Sequence, residues 1–273
     1  MRENGETAAV KVENLVKKYK DVTAVNDISF TVNKGDFFAF LGPNGAGKTT
    51  TIKILCTLIL PTSGNAYING YDTAKDKKNV RKSIGLVFQD PTLDNDLSAY
   101  ENLSFHAKLY GMEKKAAKER IDYILNFIDL YEYRDKPVKR LSGGMKRRLE
   151  VGRGLLHSPS VLFLDEPTVG LDIQTRINMW DFIDKLRIKE KTTVFLTTHY
   201  IEEAENCDKI AIIDHGKIVA IDSPQALKKL AESKHGEIPT LSDVFLSLVG
   251  REIRDETGSA LDRMRQFGRA LNR

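Results

Sequence analysis

Eight consecutive residues carry the most specific chemistry in this 273-residue chain: Gly42-Pro43-Asn44-Gly45-Ala46-Gly47-Lys48-Thr49. Two glycines bracket four residues and are followed by a lysine and a hydroxyl side chain, the spacing of a phosphate-cradling P-loop. Glycines let backbone N–H groups converge on phosphate oxygens, and a helix beginning there adds the positive end of its dipole. Lys48 is suited to neutralise terminal phosphates, and the Thr49 hydroxyl to ligate Mg²⁺. In a chain of this length a chance match is on the order of one in a hundred. A second constellation, Val161-Leu-Phe-Leu-Asp165-Glu166, ends an apolar run in two carboxylates. Asp165 then stands at the C-terminal end of a buried strand, where α/β sheets bind ligands. It would hold Mg²⁺ through water, while Glu166 polarises an attacking water as general base. Without the upstream loop, the same two acids would read as a solvent-facing strand end.

These residues need a scaffold, and the pattern supplies one. Phe37 to Leu41 is an uninterrupted apolar run, as in a strand buried on both faces, and leads through the glycine loop into a helix from Lys48 that stops before Pro61. Residues 8 to 35 alternate apolar and polar positions, predicting short antiparallel strands with a turn at Lys34-Gly35-Asp36. Residues 84 to 88, Val161 to Leu164 and Thr193 to Thr197 read as further buried strands. From Ser98 to Leu130 the period turns helical, divided at Gly111. Thr175 to Ile188 predicts an amphipathic helix with Ile177, Trp180, Ile183 and Leu186 on one face. Ile210 to Asp214 and Lys217 to Ile221 flank an Asp214-His215-Gly216 turn as a hairpin, and Pro224 opens a helix covering Ala226 to Ala231. The implied fold class is α/β: a P-loop NTPase core with a mainly parallel sheet, an N-terminal antiparallel β-subdomain and an inserted α-helical subdomain. The expected domain covers residues 8–222 with the helical insertion at about 90–155, followed by a C-terminal helical extension at 223–273.

Composition narrows the class. Hydrophobic and charged fractions of 41% and 29% are those of a globular protein. The net charge of +4 reflects 42 basic against 38 acidic side chains, a slight excess that does not suggest nucleic-acid binding. Cys56 and Cys207 have no metal-ligand spacing, so a reduced cytosolic protein is expected. No apolar run spans a bilayer, and the polar stretch Met1 to Ala9 lacks a secretory signal. Work at a membrane would then require recruitment by a partner.

Leu141-Ser142-Gly143-Gly144-Met145 makes the reading specific. A flexible linker is the plain alternative for Ser-Gly-Gly, but the basic stretch Lys146-Arg147-Arg148 that follows suits a helix whose bare N-terminal amides bind anions. Taken together, the three motifs resemble the nucleotide-binding subunit of the ABC transporter family, whose signature is Leu-Ser-Gly-Gly-Gln. Ser142 follows Lys48 by 94 residues and precedes Asp165 by 23, separations that fit that family. The resemblance covers about residues 10 to 222 and departs at Met145, which stands where the family has glutamine. A thioether does not reproduce an amide's hydrogen bonds, although Ser142, Gly143 and Gly144 retain theirs.

The resemblance implies ATP and Mg²⁺ as ligands. Gly42, Pro43, Asn44, Gly45, Ala46, Gly47, Lys48, Thr49 and Thr50 would cradle the nucleotide, with Thr49, Gln89 and Asp165 on the metal. Gln89 matches a glutamine that senses Mg²⁺ and water, Glu166 the general base, and His199 a switch histidine at the γ-phosphate. Tyr19 matches an adenine-stacking aromatic, or else is a core tyrosine on a strand. Asp172 matches an aspartate that communicates across a dimer, and suits a helix N-cap equally. Segments Tyr100-Glu-Asn-Leu, Thr198-His-Tyr-Ile-Glu-Glu-Ala and Thr240 to Arg251 resemble ATPases of daunorubicin-type drug exporters.

Two functions follow from that resemblance. The first is a transport ATPase at the inner face of the cell membrane. It pairs head to tail with a second copy or a homologous subunit, so that each P-loop faces the other's Ser142 segment, and it drives a separate transmembrane permease. The alternative is a non-transport relative working in translation or DNA repair. Such proteins carry two cassettes or a long coiled-coil insertion, and this chain has one cassette with 94 residues between Lys48 and Ser142. The closing stretch Arg251 to Arg273 reads as a solvated helix or frayed tail.

Overall fold

The computed structural model describes residues 8–230 and 239–250. The chain opens with β1 (Ala8–Tyr19) and β2 (Val22–Asn33), paired antiparallel. They are longer than the short strands the alternation predicts, because register shifts such as the one between Val12 and Leu15 let each strand bend and continue. β3 (Phe37–Leu41) and α1 (Lys48–Leu55) follow, then β4 (Ser63–Ile68), β5 (Tyr71–Asp72), α2 (Lys77–Ser83) and β6 (Ile84–Val87). The helices α3 (Ala99–Leu109), α4 (Lys114–Phe127) and α5 (Gly143–Leu155) come next. The chain continues through β7 (Val161–Asp165), α6 (Ile173–Glu190), β8 (Thr193–Thr198), α7 (Ile201–Ala204), β9 (Lys209–Asp214) and β10 (Lys217–Asp222). α8 (Pro224–Lys228) and α9 (Leu241–Leu248) are the last described helices.

Two sheets result: β2-β1-β4-β5, all antiparallel, and a six-stranded sheet in the order β10-β9-β3-β8-β7-β6. The latter is parallel except for the β9-β10 hairpin. Strand alternation shows why its central strands read as continuous apolar runs. Phe37, Ala39 and Leu41 enter a core shared with α3 to α6, whereas Phe38 and Phe40 enter a second core shared with β1, β2 and α1. Leu162 and Leu164 divide from Val161 and Phe163 in the same way. The antiparallel sheet is joined to the parallel one by an aromatic seam. Phe195 lies 5.0 Å from Phe38 and 5.2 Å from Phe163, and Phe30 of β2 stacks at 5.5 Å on Phe38. Burying each ring is worth about 1.5–3 kcal/mol, so this seam is a main tie between the layers.

Helix starts are set by local hydrogen bonds. Ser98 and Glu101 form a capping box on α3, Ser142 caps α5, and Asp172 caps α6 through Thr175 N–H at 2.9 Å. The expected face of α6 is shifted: Met179, Phe182, Ile183 and Leu186 are buried, while Ile177 is 51% exposed. Trp180 is only half-buried, packed 5.9 Å from Phe37, so the buried stripe of α6 is centred on Phe182 and Ile183 rather than on Trp180. Cys56 and Cys207 are both buried free thiols, and burial pushes both pKa values up. The helix expected to run to Ala231 is described as α8, with Ala231 outside the described residues, as are residues 251–273 of the expected extension.

Candidate functional site

The chain leaves β3 at Leu41 and turns into α1 through Gly42 to Gly47. Gly42 has no room for a side chain, since a Cβ there would lie 2.2 Å from the Ile213 carbonyl oxygen. Gly47 has φ of +105° and would place a Cβ 2.4 Å from the Ala24 carbonyl oxygen. The loop is thus clamped between the end of β9 and the start of β2, and the Ala46 carbonyl also accepts Gly216 N–H at 3.1 Å. α1 begins without a side-chain cap and without an acid in its first turn, so its leading amides are left for an anion.

Lys48 is buried. Its ammonium donates to the Gly42 and Pro43 carbonyls at 2.8 and 3.0 Å and lies 3.4 Å from Glu166 Oε1. Desolvation pulls its pKa down, against the attraction of Glu166. Across the cleft, Asp165 Oδ1 accepts hydrogen bonds from the hydroxyls of Thr197 at 2.6 Å and Thr49 at 3.3 Å. Burial raises the Asp165 pKa, with those two hydrogen bonds resisting. A carboxylate and a hydroxyl so close together fit a hard divalent cation, which takes oxygen ligands and keeps several waters.

Glu166 follows with a left-handed backbone, φ +47°. For a residue with a Cβ that conformation costs about 1–2 kcal/mol. Thr197 offsets the cost, because Glu166 N–H donates to its carbonyl at 3.2 Å and its hydroxyl at 3.1 Å. The turn brings Glu166 Oε2 to 3.2 Å from His199 Nδ1, close but not aligned for a hydrogen bond. One carboxylate therefore lies between a lysine and a histidine.

A cleft of about 410 Å³ is lined by Asn44, Gly45, Gly47, Lys48, Thr49 and Thr50 from the loop and helix, Gln89, Glu166 and His199 from the facing segments, and Ala24 and Val169 from beside them, while Asp165 and Thr197 are buried behind Thr49 rather than on the cleft surface. Gly42, Pro43 and Ala46 act as loop scaffold, their carbonyls being engaged as described. Five other expected contributors lie away from this cleft. Ser142 and Gly143 are exposed at the start of α5, and Ser142 Oγ accepts Met145 N–H at 3.3 Å. Ser142 and Gly144 line a different, larger cavity of about 870 Å³ shared with α6. Asp172 is exposed and caps α6, and Tyr19 is an exposed ring at the end of β1 with the Lys17 ammonium 4.9 Å above it.

Thr197, Ala24 and Val169 were not apparent as site residues in the sequence. Thr197 ends an apolar strand like many threonines, and only the parallel pairing of β7 with β8 brings it opposite Asp165. Met145 is half-buried against the core that holds Met179 and Phe182, a packing role rather than a polar one.

Comparison with known proteins agrees with this geometry. The family model described as ABC transporter matches residues 25–169. The chain is 42% identical over 213 residues to the linearmycin resistance ATP-binding protein LnrL of Bacillus subtilis, an alignment covering 78% of this chain and 68% of that one. It is 36% identical over 245 residues to YbhF of Escherichia coli, a probable multidrug ABC transporter ATP-binding protein. That alignment covers 90% of this chain and 42% of YbhF, so the chain spans less than half of that relative. Among solved structures, the dimeric ATP-binding cassette MJ0796 bound to ADP and Pi superposes with a TM-score of 0.70 at 28% identity, covering 78% of this chain and 98% of that one.

Proposed function

The chain belongs to the ABC transporter family, and from that premise we propose that it is the ATP-hydrolysing subunit of an exporter. In this reading it works at the inner face of the cell membrane, paired head to tail with a second copy or a homologous ATPase subunit, and drives a separate transmembrane permease. The observation that carries the reading is the position of Glu166. Its carboxylate reaches toward Lys48 and His199 in the cleft that Thr49 also lines, with Asp165 buried behind Thr49 at 3.3 Å.

Each residue then has a task. The amides of Gly45 to Thr50 and the Lys48 ammonium hold the phosphates of ATP, and Thr49, Asp165 and Gln89 hold Mg²⁺. The cation, when bound, neutralises charge that develops on the phosphate oxygens. Glu166 accepts a proton from the attacking water, and His199 steadies the γ-phosphate from the other side. Tyr19 stacks on the adenine beyond the cleft. Ser142 and Gly143 are exposed, with Gly144 behind them against Thr175, which suits a segment that caps the nucleotide of the other subunit, and Asp172 is exposed nearby as the cap of α6. Support for pairing comes from the dimeric cassette with ADP and Pi that this fold resembles. Support for export comes from relatives named for multidrug transport and linearmycin resistance.

Among the described residues no helix is long and apolar enough to cross a membrane, and the reading gives that task to the permease. Its short cytoplasmic helices would meet the helical block of residues 90–155, where α3 and its C-cap Tyr110 leave Phe105, Leu109 and Tyr110 at 55%, 65% and 41% exposure. The test is Glu166→Gln. ATP binding should persist while turnover falls by about 10²–10⁴-fold, the usual share of a general base, and an ATP-dependent dimer should accumulate in size-exclusion chromatography. Unchanged turnover would sink the assignment.

A further inference from the structure

Arg147 lies on α5, one turn and a little beyond Ser142, and its side chain is 8% exposed. A guanidinium has five N–H donors in a fixed planar fork. Here all five have acceptors. Nε donates to the Pro167 carbonyl at 2.7 Å, and Nη1 to the Phe88 carbonyl at 2.6 Å and to Glu150 Oε2 at 2.9 Å. Nη2 donates to the carbonyls of Asp165 at 3.3 Å and Glu166 at 3.2 Å. Glu150, itself buried, uses its other oxygen to accept Thr92 N–H at 2.7 Å.

Three segments meet on this one side chain. The Asp165–Pro167 carbonyls belong to the turn that aims the Glu166 carboxylate. Phe88 and Thr92 bracket the segment that holds Gln89. The helix carrying Arg147 begins at Ser142, which points away from the chain's own cleft. A displacement of Ser142 along the axis of α5 would therefore pull on the backbone of Glu166 through these charge-assisted hydrogen bonds. Neighbouring Lys146 and Arg148 lack this position: Arg148 pairs with exposed Asp129, and Lys146 reaches Asn95.

We propose that Arg147 is a positioning residue that links the two nucleotide sites of the paired assembly, transmitting engagement of Ser142 on the partner's nucleotide to the Glu166 turn in the chain's own cleft. The proposal rests on the head-to-tail reading above. It differs from a plain stabilising role, because a buried ion pair that served only packing would affect melting and leave the concerted behaviour of the sites intact.

The test compares ATP hydrolysis by the full chain with Arg147→Lys and Glu150→Gln. Two coupled sites give a Hill coefficient above one, up to about 2. Lysine keeps the charge beside Glu150 but offers three donors from a point, so it cannot hold both the Glu166 turn and the Phe88 carbonyl. In Arg147→Lys, binding of ATP to the monomer should stay within about twofold of the parent. Its kcat should fall by about 10-fold to 100-fold, in keeping with misplacement of a reacting group by about 1 Å, and its Hill coefficient should drop to about 1. Glu150→Gln keeps the shape of the pair and should give a smaller drop in the same direction. If Arg147→Lys does not fold, Glu150→Gln decides alone. A Hill coefficient unchanged in the folded variants overturns the proposal. A parent that shows neither cooperativity nor an ATP-dependent dimer as Glu166→Gln overturns the head-to-tail reading instead, and this inference falls with it.

Discussion

The loop before α1 and the segment before α5 use the same device, small residues leading into a helix N-terminus, yet they are finished differently. At α1 the surrounding chain closes in: Lys48 is buried, Asp165 and Glu166 face the loop, and β2 and β9 leave no room for side chains at two glycines. At α5 the start is open: Ser142 and Gly143 are exposed, a Cβ at Gly143 would meet nothing within 4 Å, and Ser142 caps Met145 N–H, with Thr175 of α6 closing in only at Gly144 among these three described residues. An N-terminus walled in by its own chain is organised before any ligand arrives. In the proposed pairing, the open one is the face that the other subunit would meet. On the proposed head-to-tail pairing, the contrast means that the chain would hold one half of a site and offer the other half outward.

Three substitutions probe that contrast. The largest effect is expected at the walled half. Lys48→Ala removes the buried cation, and ATP affinity measured by calorimetry should fall by about 10-fold to 100-fold or more, equivalent to the 1.5–3 kcal/mol of a charged hydrogen bond, with hydrolysis lost alongside. Full retention of binding would contradict the loop's assignment. Ser142→Arg should separate the two halves. Binding of a fluorescent nucleotide to the monomer should be unchanged, whereas hydrolysis should fall by about 100-fold or more as bulk and charge block the outward face. If that variant hydrolysed ATP at the parent rate, the open half would have no part in the reaction. The smallest effect is expected for Met145→Gln. Restoring the amide should change kcat by less than about twofold, while placing a polar group against Met179 and Phe182 should cost about 1 kcal/mol. In a thermal melt that cost corresponds to a shift of about 2–4 °C. A several-fold gain in kcat would show that the side chain at this position contributes hydrogen bonds after all.

Much of the walled half was legible in the sequence, because it is written in contiguous residues. The run Phe37 to Leu41, the glycine spacing and the Asp165-Glu166 ending each report a strand, a turn and a strand end without reference to anything distant. Asp172 was legible in the same local way, as an N-cap three residues before Thr175. What escaped is what depends on pairing between remote segments. Thr197 becomes a partner of Asp165 only through the register of β7 against β8. Arg147 stands in a run of three basic residues, and local pattern favours a solvated face for all of them. Only the spacing to Glu150, three residues on, hints that one of the three turns inward. Ile177 failed for the complementary reason: a helical period identifies a stripe, but the core it meets decides which edge of the stripe is covered.

The two thiols have a practical consequence. Cys56 and Cys207 are the chain's entire cysteine content, and both are buried with raised pKa values. Under gentle conditions neither presents a thiolate to a maleimide or a nitroxide reagent. A single cysteine introduced on the open surface near α5 would then take up a spin label or fluorophore selectively in the otherwise native chain. Two copies so labelled form a molecular ruler, reading the separation of the outward faces as nucleotide is added and consumed.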